Sequence, residues 1–191
     1  TIILHIMTDF NPPRFNTPRL ILTWPTSDQV DDYYHLIKNS NIFDTILWEG
    51  PSQASELHDW WMNNKQRNPI DPSLLLNTAI IEKSTNRYIG TIGLRPFSTD
   101  GSIIEIAYAL APQFHGQGYA TEATRALVDE AFKNRGAERI SGPVFVGNQP
   151  SRRVLEKVHF QYEGTQRHAV YKRGAWIDLW MMAITRPDWE A

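Results

Sequence analysis

Apolar residues crowd into "RLILTW" (19–24), a run short and β-rich enough to predict a strand. The period then lengthens. Val30, Tyr33, Tyr34 and Ile37 recur at helical spacing behind a Ser/Asp start, which predicts a helix over 26–39. Residues 40–51 lose all periodicity and close on Gly50-Pro51, the composition of a loop. A second helix is expected over 52–68, with Leu57, Trp60 and Trp61 on its inner face. Three strands follow at 74–83, 87–95 and 102–110, separated by turn residues at Asn86 and at Thr99-Asp100-Gly101. Ala123, Leu127 and Ala131, four apart, predict a helix that reaches about Arg135. Beyond it lie a strand at 138–145 and a short helix at 149–158. Pro150 sits in the first turn of that helix, where its missing N–H costs nothing. Two last strands, 160–171 and 175–185, are joined by Lys172-Arg173-Gly174.

The resulting order is β-αα-βββ-α-β-α-ββ. It predicts one α/β (α+β) domain: a single, mixed but mostly antiparallel sheet of seven strands flanked by four helices. The domain is expected over 14–187, after a lead-in at 1–13 rich in Pro and Asn and before a tail at 188–191. "MTDFNPPRFNTPRL" reads as a natural start at Met7, which would leave residues 1–6 upstream of it.

A length of 191 residues suits one domain with a substantial core. A net charge of −2 offers no general attraction to nucleic acid or acidic membranes. With no cysteine, a disulfide scaffold, a thiolate nucleophile and cysteine-ligated zinc are all excluded, and the composition suits a cytoplasmic protein. No apolar run approaches the roughly 20 residues of a membrane span. The six histidines form no i, i+4 pair around a carboxylate, so no metal site is expected. A monomer or a homodimer is expected.

The chemistry concentrates in "APQFHGQGYATEATRALVDEAF" (111–132), where a strand meets Gly116 and Gly118 and becomes a helix. Glycine inside an element costs about 1 kcal/mol relative to alanine, so the pair marks backbone that something approaches closely. The first turn of a helix presents free N–H groups and a partial positive charge, which suits phosphate. The spacing Gly-x-x-x-x-Gly-Lys-Ser/Thr of a nucleotide P-loop is absent. A dinucleotide fingerprint fails as well, because Thr121 stands where its third Gly or Ala belongs.

Gln113-x-x-Gly116-x-Gly118-x-Ala120 resembles the acetyl-coenzyme-A loop of the GNAT superfamily of N-acetyltransferases. "YALAPQFHGQGYATEA" is most similar to the RimJ/RimL-type branch, which acetylates protein N-termini. "NQPSRRVLEKVHF" (148–160) and "RGAWIDLWMMAI" (173–184) resemble two further segments of that branch, so the likeness runs from about 17 to 186. It implies an acetyl-CoA co-substrate and an amine acceptor. The loop residues Gln113, His115, Gly116, Gln117, Gly118, Tyr119, Ala120 and Thr121 would hold the pyrophosphate, and Ala109 and Leu110 would pair with the pantetheine arm as a pseudo-strand. Asn148 would either cap its helix or bond the pantetheine amide. Arg152 would either reach the CoA phosphates or lie on a solvated helix face.

Many members of the superfamily carry a Tyr acid seven residues after that Asn, and here the position is Leu155. The resemblance leaves Ser151 as the group that stabilises the departing thiolate, with the bland alternative of a helix cap. Glu105 is the candidate base, either buried enough to raise its pKa or working through water, with the bland alternative of an exposed strand Glu. Tyr108 falls at an odd offset from Glu105 and should point to the opposite face. His159 replaces the usual glycine before Phe160, at a turn that calls for positive φ.

Acidity favours an α-amine acceptor. With a pKa near 8, about a tenth of an α-amine is neutral at pH 7, whereas a lysine side chain near 10.4 needs roughly 4–5 kcal/mol to deprotonate. The acceptor would be met by residues 40–50, the Trp60-Trp61 helix and residues 168–176. Trp48, Trp60, Trp61 and Trp176 are candidates to line its cleft, set against a plain core role. A small-molecule amine is the alternative acceptor, and a non-catalytic acyl-CoA-binding module is the alternative of a different class.

Overall fold

Thr26 starts the first helix, α1 (Ser27–Ile37), with a reciprocal cap. Its hydroxyl accepts the Gln29 N–H at 3.3 Å, and the Gln29 side chain accepts the Thr26 N–H at 3.0 Å. A 3-10 turn, Asn41–Thr45, interrupts the loop that leads to α2 (Ala54–Arg67). The protein is described here by a computed structural model covering residues 12–67 and 76–191. The proposed start at Met7, residues 1–6 and the front of the strand expected at 74–83 lie outside the described residues.

The strands are β1 (Phe15–Asn16), β2 (Leu20–Thr23), β3 (Leu76–Glu82), β4 (Arg87–Pro96), β5 (Ile103–Leu110), β6 (Arg139–Phe145), β7 (Gln161–Lys172) and β8 (Ala175–Thr185). They form one sheet in the order β1-β2-β3-β4-β5-β6-β8-β7. Every neighbouring pair is antiparallel except β5 and β6, which run parallel. The mixed, mostly antiparallel sheet is thus as expected, but among the described residues it has eight strands rather than seven. The extra one is β1, two residues long, which pairs Phe15 with Leu22 and Asn16 with Ile21. Two residues in a Pro- and Asn-rich segment carry no period, so only the β2 edge reveals the strand.

After β5 the chain enters α3 (Tyr119–Asn134) and, after β6, α4 (Gln149–Glu156). Among the described residues a fifth α-helix joins the expected four. α5 (Arg186–Glu190) takes up most of the segment set apart as a tail. It is docked by Trp189, which stacks on Phe132 at 5.3 Å and donates its indole N–H to Asp129 at 2.8 Å.

Two helix pairs cover opposite faces of the sheet. α1 and α2 meet β4 through Tyr88, whose ring stacks on Tyr33 at 3.9 Å and whose hydroxyl bonds Thr91 at 2.9 Å. Thr91 lies opposite Ala109 of β5. The other pair, α3 and α4, covers the face carrying the even-numbered side chains of β5, where Tyr108 bonds Ser151 of α4 at 3.0 Å. Gly142 lets α4 sit close on β6, because a Cβ there would lie 2.8 Å from Leu155 Cδ1. Leu155 is 1% exposed, a core side chain and no acid.

Candidate functional site

The site begins where two parallel strands part. β5 and β6 pair only at Ile103↔Arg139, Ile104↔Ile140 and Glu105↔Ser141. Beyond Glu105, β5 stays on β4 up to Leu110↔Gly90, and β6 stays on β8 up to Phe145↔Leu179. The sheet therefore splits into a wedge between residues 106–110 and 142–145.

Backbone alternation decides which groups face the wedge. Phe97 N–H bonds Ile103 O at 2.7 Å and Ala111 N–H bonds Ile89 O at 2.8 Å, so the odd-numbered backbone groups of β5 turn to β4. On the other side, Ser102 O accepts the Glu138 N–H at 2.8 Å, so the even-numbered groups turn toward β6. Ile106 and Tyr108 thus present their N–H and C=O to the wedge. This corrects the expectation for Ala109, whose backbone turns to β4, and half of that for Leu110, whose carbonyl is held by His115 Nε2 at 2.7 Å. His115 closes the loop back on the strand end.

The wedge opens onto the glycine loop. A 3-10 turn, Pro112–Phe114, leads to Gly116 at φ +75 and to Gly118 at φ +81, the residue before α3. Both angles belong to the left-handed region that glycine enters without strain. Among the described residues, a Cβ on Gly116 would meet no atom within 4 Å, and one on Gly118 would meet only Arg19 Nη2 at 3.4 Å. The N-terminus of α3 is therefore open to an anion. Gln117 folds back within the loop, donating Nε2 to Gln113 O at 3.1 Å. Thr121 shares with Gly118, Arg125 and Lys157 a hollow of about 880 Å³ beside α3, while Ala120 packs against the core.

Residues far away in sequence hold this loop. Arg19 donates Nη1 to Gln117 O at 2.9 Å and Nε to Glu122 at 2.6 Å, and its guanidinium lies 4.5 Å from the centre of the Tyr119 ring. Glu122 also accepts from the Thr17 hydroxyl at 2.6 Å and from the Arg19 N–H at 2.8 Å. Burial opposes ionisation of Glu122, but these donors outweigh it and hold its carboxyl below the usual range. Tyr119 donates its hydroxyl to Glu82 at 2.5 Å, and that bond pushes the phenol up. Nothing local in the sequence marks Arg19 or Glu82, because their partners lie 98 and 37 residues away.

Asn148 caps α4: its side chain accepts the Ser151 N–H at 3.2 Å. Of its two expected roles, the structure displays the cap. Ser151 meets Tyr108, whose hydroxyl lies 3.0 Å from both Ser151 Oγ and Ser151 O. Burial raises the Tyr108 phenol far above its ordinary value, so it is a neutral donor. Arg152 does not turn to the loop. It pairs with Glu156 at 2.8 Å and lies between the rings of Tyr162 and Trp180, at 4.9 and 5.0 Å from their centres. Glu105, at the closed end of the wedge, pairs with Arg95 at 2.6 Å on the face opposite Tyr108. Among the described residues, no cluster of three His, Asp or Glu side chains has the arrangement of a metal site.

The α1–α2 loop and the β7–β8 hairpin are clamped together. Lys172, 6% exposed, donates to Ile46 O at 2.7 Å and pairs with Glu49 at 3.1 Å. Arg173 reaches Asp44 at 2.6 Å and Glu49 at 2.8 Å. Trp48 stacks on Trp60 at 6.0 Å and stays 39% exposed, and Trp176 is 57% exposed. Trp61 is core, donating to Tyr88 OH at 3.3 Å.

The family model described as an acetyltransferase (GNAT) domain matches residues 19–161. The protein named "Uncharacterized N-acetyltransferase p20" of Bacillus licheniformis is 32% identical over 111 residues, which are 58% of this chain and 62% of that protein. The chain spans the same 62% of "Uncharacterized N-acetyltransferase YoaA" of Bacillus subtilis. "Putative ribosomal N-acetyltransferase YdaF" of Bacillus subtilis is 30% identical over 147 residues, 74% of this chain and 76% of that protein. Among solved structures, the ribosomal-protein alpha-N-acetyltransferase RimL in complex with coenzyme A superimposes with a TM-score of 0.80 at 20% identity, covering 91% of this chain and 98% of that one. A likeness at that identity speaks for the fold, while the matched model takes in the parted strands, the glycine loop and the α4 segment together. The chain belongs to the GNAT family of acetyltransferase domains.

Proposed function

We propose that the protein is an acetyl-CoA-dependent N-acetyltransferase acting on primary amines, and on protein or peptide N-terminal α-amines in particular. One observation carries the reading: the wedge between β5 and β6 leads to the helix start behind Gly116 and Gly118, and Tyr108 on its β5 wall holds the Ser151 hydroxyl at 3.0 Å. Acetyl-CoA fits these parts. Its pyrophosphate would lie on the amides of Gly116 to Ala120, and its pantetheine amides would bond Ile106 and Tyr108 as a missing strand. The amine nitrogen would then attack the thioester carbon as the carbon–sulfur bond breaks, and the electron pair would go to sulfur. Ser151 would stabilise that thiolate by hydrogen bonding. Glu105, anchored on Arg95, would take the amine's surplus proton through water.

Support for an α-amine comes from acidity. A site with a hydroxyl as its only donor to sulfur and an ion-paired carboxylate as its base suits an acceptor that is already partly neutral at pH 7. The name of the relative YdaF points the same way. A chain without cysteine agrees with a cytoplasmic place of action, and no helix among the described residues is long and apolar enough to cross a membrane.

The test is release of CoA from acetyl-CoA by the purified protein, offered free-α-amine peptides, the same peptides with blocked N-termini, polyamines and aminoglycosides. Release with the free peptides that disappears on blocking supports the reading. Release with small amines alone moves the acceptor to that class. Stoichiometric acetyl-CoA binding without release from any pool would favour a sensor module.

A further inference from the structure

We propose that Tyr108 is a positioning residue for the thiolate. It orients the Ser151 hydroxyl and, through it, lowers the pKa of the CoA thiol held in the wedge. The inference rests on the Ser151 reading above and adds a residue that the α4 motif does not contain.

A phenol has one hydrogen to give, and Tyr108 Oη has two oxygens within 3.0 Å, Ser151 O and Ser151 Oγ. Ser151 likewise has one. If its hydrogen points at Tyr108, none is left for sulfur. If Tyr108 donates to Ser151 Oγ instead, the serine hydrogen is free to turn into the wedge, and its oxygen is polarised by the bond it accepts. Negative charge on sulfur selects the second arrangement. Burial keeps the Tyr108 phenol protonated, so it remains a donor while the thiolate forms.

The backbone fixes the pair in place. Tyr108 belongs to the stretch of β5 that has left β6 but still holds β4, through Ile92↔Tyr108. Ser151 is tied to its own helix start by the Asn148 cap. One hydroxyl therefore comes from the wall of the wedge and the other from the helix beside it. No proton changes owner in this step: the carbon–sulfur electron pair goes to sulfur, and two O–H groups rotate to meet it.

The test needs no knowledge of the acceptor. The thiol of bound CoA is titrated by its ultraviolet thiolate absorbance, as the difference between protein loaded with CoA and protein loaded with desulfo-CoA. Four proteins are compared: wild type, Tyr108→Phe, Ser151→Ala and the double variant. Tyr108→Phe is expected to raise the pKa of the bound thiol by about 1, and to add nothing further in the Ser151→Ala background. Equal shifts in both backgrounds, or no shift on Tyr108→Phe while Ser151→Ala shifts it, would overturn the inference and leave the Ser151 reading standing. CoA bound normally with no shift on Ser151→Ala would overturn that reading as well. Should the phenylalanine variant not fold, 3-fluorotyrosine at position 108 keeps the ring and strengthens the donor. It is expected to lower the thiol pKa, and an unchanged value would sink the proposal.

Discussion

His159 holds φ +68 at the end of α4, where glycine is the residue without strain. The geometry is a complete helix stop: Phe160 N–H reaches back to Leu155 O at 3.1 Å and His159 N–H to Glu156 O at 3.1 Å. The turn therefore imposes its conformation on a side chain that disfavours it, at a cost of about 1–2 kcal/mol. Part of that cost is returned by the smaller entropy that histidine loses on folding. His159→Gly should stabilise the protein by up to about 1 kcal/mol, raising its melting midpoint by about 2–4 °C. Calorimetry or a denaturant titration checks it, and a lower midpoint would mean that the histidine side chain makes a contribution of its own. The substitution was visible in the sequence as a departure from a motif, and so was the strain it would bring. What Ser151 touches was not visible, because its partner Tyr108 lies 43 residues earlier and only the parting of β5 from β6 brings the two together.

At the scale of elements, β2 and the approach to it act as a brace for the start of α3. Thr17 and Arg19 place three donors on Glu122, and Arg19 spans from that carboxylate to the Gln117 carbonyl inside the glycine loop. Glu122 has a folded-state pKa below its unfolded value of 4.5, so its contribution is present above that pH and is lost as pH falls through the lower folded value. Acid should therefore loosen this brace, and Glu122→Gln should remove the part of the stability slope that lies below about pH 4.5 while leaving the neutral range nearly flat. Urea titrations of both proteins between pH 3 and 7 decide it; parallel curves would count against the assignment. Most elements could be read in advance because β2 to β8 and α1 to α4 each carry an apolar run or period long enough to register. The remainder had no such signal. β1 is two residues long, and the register shift between Ile80 and Ile81 that brings Tyr88 under α1 leaves no mark in composition. The brace itself joins residues about a hundred positions apart. The surroundings of Arg152 were hidden for a related reason. A basic residue near a phosphate site suggests phosphate, but the aromatic faces of Tyr162 and Trp180 come from strands whose position only the fold supplies.

The described residues form a sheet that parts in its middle, between β5 and β6. β5 carries one half through β4, and β6 carries the other through β8, so the two halves are joined in the sheet by three residue pairs. A pantetheine arm lying in the wedge would complete the ladder and tie the halves together, which would make acetyl-CoA a structural member as well as the proposed co-substrate. At a hundredfold excess over its dissociation constant, a ligand of the native state stabilises it by about 2.7 kcal/mol, or about 5–10 °C for a chain of this size. That shift should disappear in Gly118→Trp, whose own unfolding transition shows whether the fold survives. The location of the effect is more telling than its size. Hydrogen exchange should slow at the amides of Ile106 and Tyr108, which face the wedge. Ala107 and Ala109 donate toward β4 already, so their exchange should follow only the global change. Protection confined to the loop at 113–120, with Ile106 and Tyr108 unaffected, would mean that the cofactor sits on the helix end without entering the sheet. The pseudo-strand, and with it the approach of sulfur to Ser151, would then have to be abandoned.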